Sequence, residues 1–336
     1  MSIKLRKVRD LEVARKSIKS IIKVLELDLN GKTVMTEFAS GPFALTPFIA
    51  LLAGAKKVIC VSKDSVYGKV EELKTYFNEL SSFFEFSGEI VFTEDKYLHV
   101  HEADVITNLS MLRPIDSKML SLAKNDVVIG LMFEPWEKRE SDIDFSFCKK
   151  NQIPVVGINE EHENLKIFEF VGLIICKLAF EQEHHLLDER VLLVGSGPFA
   201  ENAQKYLRNL GADVYSLESI DESSNSNDFD LIVICEHHDK SPIISDDSLL
   251  SKKFFISQID IIHICGNLDY KLIRELGLKK WPEKEVDVGF MTVTTDYIGI
   301  EPVVRLHAGG LKACTDYISK RNGVKFNSEY IKMVDE

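Results

Sequence analysis

Apolar residues at Ile18, Ile21, Ile22 and Leu25 recur at helical spacing, so the chain opens with an amphipathic helix that starts from Asp10 and ends near Asn30-Gly31. The pattern then changes to short apolar runs of strand length, at 33–37, 57–61, 89–92, 104–107, 126–132 and 153–157. Helical stretches, among them 67–83 and 142–150, lie between these runs. Alternating strands and helices predict a parallel, doubly wound sheet. The stretch 161–185 carries an apolar core at 168–178 with Gly172 as its one break, and reads as a helix joining two αβ blocks. The second block has strands at 190–194, 213–217, 230–234 and 260–264, with a polar, mobile surface loop at 219–228.

The chain repeats itself. Ser40-Gly41-Pro42-Phe43-Ala44 recurs as Ser196-Gly197-Pro198-Phe199-Ala200, each directly after an apolar strand, and each copy is followed by a Gly-Ala pair, Gly54-Ala55 and Gly211-Ala212. Identical residues in identical context predict one βαβ unit used twice.

Length supports the same division, since 336 residues exceed what one hydrophobic core ordinarily holds. Forty-one basic against fifty-three acidic residues leave a net charge of −12, the wrong sign for gripping a nucleic-acid backbone. No apolar run is long enough to span a bilayer, so no membrane partner is expected. Six scattered cysteines without a CxxC pair, and an amino-terminal stretch without the apolar core of a signal peptide, predict reduced thiols in a cytoplasmic protein.

The strongest chemical signal is the strand 191–194 running into Gly195-Ser196-Gly197-Pro198-Phe199-Ala200 and then into a helix. In such a turn the first glycine permits the bend and the second lets backbone approach a diphosphate. The small residue at Ala200 keeps the helix close to the strand. Glu218 follows the next strand, where an acid accepts the two ribose hydroxyls and disfavours a 2′-phosphate. NAD is the expected cofactor. The first copy has Ala39 in place of the leading glycine and Lys63 after its second strand. Its Ser40 and Gly41 are expected to face substrate. Because Glu37 precedes that turn, the stretch 37–43 also fits the first motif of S-adenosylmethionine-dependent methyltransferases, an alternative that stays open here. A non-catalytic nucleotide-binding protein is a further alternative.

The stretches Ala103–Asn108, Arg113-Pro114-Ile115-Asp116, Asp142-Ile143-Asp144 and 151–159, followed by a helix carrying Glu169 and then the glycine turn, resemble the D-2-hydroxyacid dehydrogenases and their formate and glycerate dehydrogenase relatives. That resemblance covers most of the chain after about residue 100. It implies two Rossmann-like doubly wound domains, 1–185 completed by 306–336 and 186–305, with a deep cleft between them and a final helix predicted over 311–319 that returns to the first domain. It also implies an NAD-dependent oxidoreductase acting on a small hydroxy or keto compound, and a homodimer.

Carried over by position, His307 in His307-Ala308-Gly309-Gly310 matches the family's catalytic histidine turn, with Glu283 as its acidic partner. An imidazole there suits proton transfer near neutrality. Cys265 and Asn267 fall beside the cofactor, in the stretch where the family usually carries an arginine that this chain lacks. Asn108, Arg113 and Arg139 become candidates for the substrate, with Arg305 a further cation. Glu134 and Trp136 follow the strand 127–132 at its carboxyl end, where ligands of open α/β sheets collect. In Glu236-His237-His238-Asp239, adjacent histidines on extended backbone point opposite ways, so no metal site is predicted and His237 is expected at the nicotinamide pocket. His99, His101, His184 and His185 are expected to be solvated.

Overall fold

Asp10 starts the first helix, α1 (Leu11–Leu25), by accepting the Val13 N–H at 3.0 Å, and Glu26 closes it in the left-handed conformation, earlier than the predicted Asn30-Gly31. Ala14, Ile18, Ile21 and Leu25 form its buried face. The computed structural model describes residues 5–219, 223–248, 250–324 and 328–334. The chain divides into unit 1, Met1–Lys166 with Gly299–Glu336, and unit 2, Ile167–Ile298. The predicted boundaries at 185/186 and 305/306 therefore move to 166/167 and 298/299.

Unit 1 continues through β1 (Thr33–Glu37), α2 (Thr46–Leu52), β2 (Lys57–Val61), α3 (Val70–Phe83), β3 (Glu89–Thr93), β4 (Val105–Thr107), α4 (Ser117–Leu122), β5 (Val128–Gly130), α5 (Phe145–Lys150) and β6 (Val155–Ile158). Asp116 and Asp144 start the two short helices α4 and α5 by accepting the Met119 and Phe147 N–H groups. The six strands are parallel in the order β6-β5-β4-β1-β2-β3, so the chain reverses direction across the sheet between β1 and β4. Burial on both faces explains why β4, β5 and β6 read as nearly continuous apolar runs, while β1 buries Thr33, Thr36 and Glu37 beside Val34 and Met35.

Unit 2 holds α6 (Ile167–Glu181), β7 (Arg190–Val194), α7 (Gly197–Asn209), β8 (Asp213–Ser216), β9 (Leu231–Cys235), β10 (Pro242–Ile244), β11 (Asp260–Cys265), β12 (Asn267–Leu268), α8 (Tyr270–Glu275) and β13 (Lys279–Trp281). Its main sheet is wholly parallel, ordered β13-β11-β9-β7-β8, and reverses between β7 and β9. One apolar layer, with Ile175, Leu193 and Val233, covers one face, and a second, with Leu192, Ile232 and Phe254, covers the other. The linking helix α6 packs on α7, with Gly172 against Tyr206. Residues 220–222 of the predicted mobile loop lie outside the described residues. The end of that loop is folded: Ser226 is 1% exposed and its Oγ lies 3.0 Å from Ser257 Oγ.

Unit 1 is completed by α9 (Glu301–Arg321) and by β14 (Ile331–Met333), which runs antiparallel to β6. The predicted helix at 311–319 therefore starts ten residues early, with a proline in its first turn. A Cβ on Gly310 would lie 2.4 Å from Met132 Cε and 3.2 Å from the Leu131 carbonyl, so the glycine sets how closely α9 approaches the end of β5. Gly310→Val is expected to cost about 2 kcal/mol by overpacking this contact, read as a lowered urea midpoint. An unchanged midpoint would show that the helix has room to move away.

Candidate functional site

At the carboxyl ends of β7 and β9, where unit 2 reverses, lies a groove of about 710 Å³. Gly195, Ser196 and Gly197 form its floor, Glu201 and Gln204 of α7 one side, Ser216 and Leu217 at the end of β8 another, and Ser241, Pro242 and Ile243 the far wall. Open α/β sheets place their ligands at this crevice. A larger cavity of about 870 Å³ in unit 1 is lined by Phe145, Cys148, Ile153 and Tyr317 among others. It adjoins the amino-terminal end of β6, away from the strand ends that gather ligands.

The glycine turn has the geometry its sequence predicts. A Cβ on Gly195 would stand 2.7 Å from the Cys235 carbonyl, so only glycine lets β7 pass so close to β9. Gly197 adopts φ +59 at the start of α7, with Pro198 in the first helical turn where its missing N–H costs nothing. Phe199 and Ala200 are buried against the sheet. The backbone of Glu218 lies in the short turn Leu217–Ser219 after β8, and its side chain is outside the described ones.

The segment after β9 holds a carboxylate whose role the sequence did not reveal. Glu236 Oε1 accepts hydrogen bonds from Ser196 Oγ at 3.0 Å, His238 N at 2.7 Å and Asp239 N at 2.9 Å, and so clasps the glycine turn to the loop beyond β9. The two histidines have different surroundings. His237 is buried, its ring 4.4 Å from that of Phe199, and burial pushes its pKa down to about 4, so it is neutral. His238 is exposed, and its Nε2 lies 3.0 Å from where a Cβ on Gly197 would be. Among the described residues no group of three or more His, Cys, Asp or Glu is placed to hold a metal ion.

Unit 1 uses its own copy of the turn differently. Gly41 has φ +60, matching Gly197, but its N–H donates to the Arg6 carbonyl at 2.8 Å. Ser40 is buried, and Glu37 is 2% exposed, its Oε2 accepting from Ser110 Oγ at 2.9 Å and Met111 N at 3.1 Å. Burial raises the Glu37 pKa against these donors. Here too one carboxylate clasps the two loops at the reversal point. The acid is on β1 in unit 1 and on the β9 segment in unit 2, with the serine on the opposite loop in each.

Other predicted residues are held by their own unit. Arg113 donates from Nε to the Asn108 carbonyl and pairs with Asp142 at 2.9 Å, while Asn108 Oδ1 accepts the Met132 N–H. Glu134, expected at the substrate, is 1% exposed and accepts from Lys332 Nζ and Glu160 N, each at 2.8 Å, which ties β14 to the sheet. Arg139 follows it in a half-buried loop, and the side chain of Trp136 lies outside the described ones. Arg305 pairs with Glu301 at 2.9 Å and donates to the Asn164 carbonyl. In unit 2, Cys265 is buried in register with Cys235, Asn267 donates to the Lys240 carbonyl at 2.8 Å, and Glu283 is exposed. His184, expected in solvent, is enclosed between Glu189 and Asp260.

His307 requires a correction of setting. The string His307-Ala308-Gly309-Gly310 lies inside α9 and forms no turn. The imidazole is 2% exposed, its Nδ1 is 2.6 Å from Thr46 Oγ1, and its ring is 5.8 Å from that of Phe43. Burial pushes its pKa down to about 3, so it stays neutral.

No protein-family profile matches the sequence, and no curated protein matches it. Solved structures do match. A dipicolinate synthase chain from Bacillus halodurans is 12% identical with a TM-score of 0.55, over 84% of this chain and 96% of that one. Its counterpart, the dipicolinate synthase chain from Bacillus subtilis, is 12% identical with a TM-score of 0.59, over 88% and 99%. The pyruvate reductase of Chlamydomonas reinhardtii is 12% identical with a TM-score of 0.53, over 87% and 98%. At this identity the likeness is one of fold, and it is the fold that the resemblance to D-2-hydroxyacid dehydrogenases implies.

Proposed function

We propose that this protein is an NAD-dependent oxidoreductase acting on a small hydroxy or keto compound, with the dinucleotide held by unit 2. The observation that carries this reading is the Gly195–Gly197 turn, which opens into a groove at the reversal point of a parallel sheet. Bound NAD supplies a hydride acceptor. Gly197 and the first turn of α7 receive the diphosphate, Ser216 and Leu217 flank the adenosine end with Glu218 next in sequence, and Pro242 and Ile243 supply apolar wall. The fold shared with a pyruvate reductase supports the substrate class. His307 is assigned to helix packing, because a sealed neutral imidazole bonded to Thr46 has no open path for a proton.

Among its described residues the groove is lined by Glu201, Glu236 and Asp239 and by no lysine or arginine. A 2′-phosphate would meet these carboxylates without a cation. Calorimetry is therefore expected to show NAD binding at least about tenfold tighter than NADP. Equal affinity, or heat released by S-adenosylmethionine and none by NAD, would overturn the reading.

A further inference from the structure

The groove raises an electrostatic question, because its three carboxylates would repel the nucleotide diphosphate that the glycine turn is shaped to receive. Glu236 is already met by three donors within its own unit. Glu201 stands on the first turns of α7 and Asp239 on the loop beyond β9. Backbone N–H groups and the neutral donors of the lining, Gln204 and the serines, would have to hold the diphosphate against them, unless a further side-chain donor stands above Gly197.

His238 stands there. Its Nε2 and Cδ2 lie 3.0 and 3.1 Å from the position a Cβ on Gly197 would take, so the ring covers the glycine whose bareness lets a diphosphate approach. The backbone beneath the ring is fixed, since the His238 and Asp239 N–H groups both donate to Glu236, which is bound in turn to Ser196 of the glycine turn. The side chain itself is exposed and can adjust to a ligand. Its neighbour is fixed in a different role: His237 is packed on Phe199 and kept out of solvent.

We propose that His238 is a diphosphate-binding residue of the nucleotide groove, donating a hydrogen bond from Nε2 to a phosphate oxygen above Gly197. This assignment rests on the dinucleotide reading of unit 2 and names the side chain that makes an acidic groove accept an anion. Loss of the donor should act on ligands that carry the diphosphate and spare those that do not.

The test is calorimetric titration of the whole protein and of His238→Ala and His238→Arg with ADP-ribose and with adenosine. His238→Ala, which has no side-chain donor, should bind ADP-ribose about tenfold more weakly, the size of one hydrogen bond to a charged group, with adenosine unchanged. His238→Arg should keep most of the affinity for ADP-ribose. Undiminished or tighter ADP-ribose binding by His238→Ala would overturn the assignment while leaving the dinucleotide reading standing, and so would an equal loss on adenosine. If the parent protein binds neither NAD nor ADP-ribose, the dinucleotide reading falls first and this assignment with it.

Discussion

Gly197→Val is expected to reduce NAD affinity at least about 100-fold while leaving unit 2 folded. Gly197 holds φ +59, a conformation that β-branched residues adopt only at a cost of about 1–2 kcal/mol. Its missing Cβ faces the His238 ring at 3.0 Å, a flexible side chain that can yield, so the substitution strains one turn and breaks no core contact. What valine removes is the space in which phosphate oxygens meet backbone N–H groups. Equilibrium dialysis with NAD measures the loss, and circular dichroism checks that the fold survives. Parent-like affinity in a folded variant would mean that the dinucleotide is not seated on this turn.

Acidification from pH 6.5 to 4 is expected to withdraw stability through three buried histidines. Burial pushes the pKa of His307 down to about 3 and those of His237 and of His263, a fully buried residue of β11, to about 4. In the unfolded chain an imidazole takes its proton near pH 6.5, so across this window the unfolded state binds more protons. The contribution is complete above pH 6.5 and is lost as pH falls, by about 1.4 kcal/mol per pH unit for each histidine. Glu37 and Glu160, raised by burial, act with the opposite sign because the folded state takes up their protons first. The histidine effect is therefore isolated by substitution. His307→Gln, which keeps a polar group beside Thr46, should flatten the dependence of the urea-unfolding free energy on pH by about that slope between 6.5 and 4. Parallel curves for parent and variant would show that the imidazole already titrates in the folded state.

The strands and the glycine turn of unit 2 were legible because their signals are local. Leu192, Val194, Ile232 and Ile234 lie in runs buried on both faces, and Gly195 and Gly197 occupy positions that demand glycine within a few residues of sequence. Helix α9 is harder to see. Pro302, Gly309 and Gly310 weaken any helical pattern, and the string from His307 to Gly310 looks like a turn. The two glycines are there because α9 lies hard against partners far away in the chain, Gly310 against Met132 and Leu131 and Gly309 against Leu165 and Ile158. Glu134 points to a ligand by its place after a strand, and it is Lys332, nearly two hundred positions later, that accounts for it. Glu236 stands beside two histidines and so raises the question of a metal, whereas its partners are Ser196 and two N–H groups just beyond it. The extra strand β14, three residues long, is too short to announce itself by periodicity.

The split composition of unit 1 has a consequence for how the protein is made. Unit 2 is one continuous stretch, complete once Ile298 has left the ribosome, whereas unit 1 still waits for residues from Gly299 onward. Until then the end of β5 that Gly310 and Cys314 will press upon is uncovered, and the outer edge of β6 has no neighbour. During synthesis the earlier-translated half of the molecule is therefore the later one to finish, and the β6 edge stays open to pairing with other chains until β14 is made.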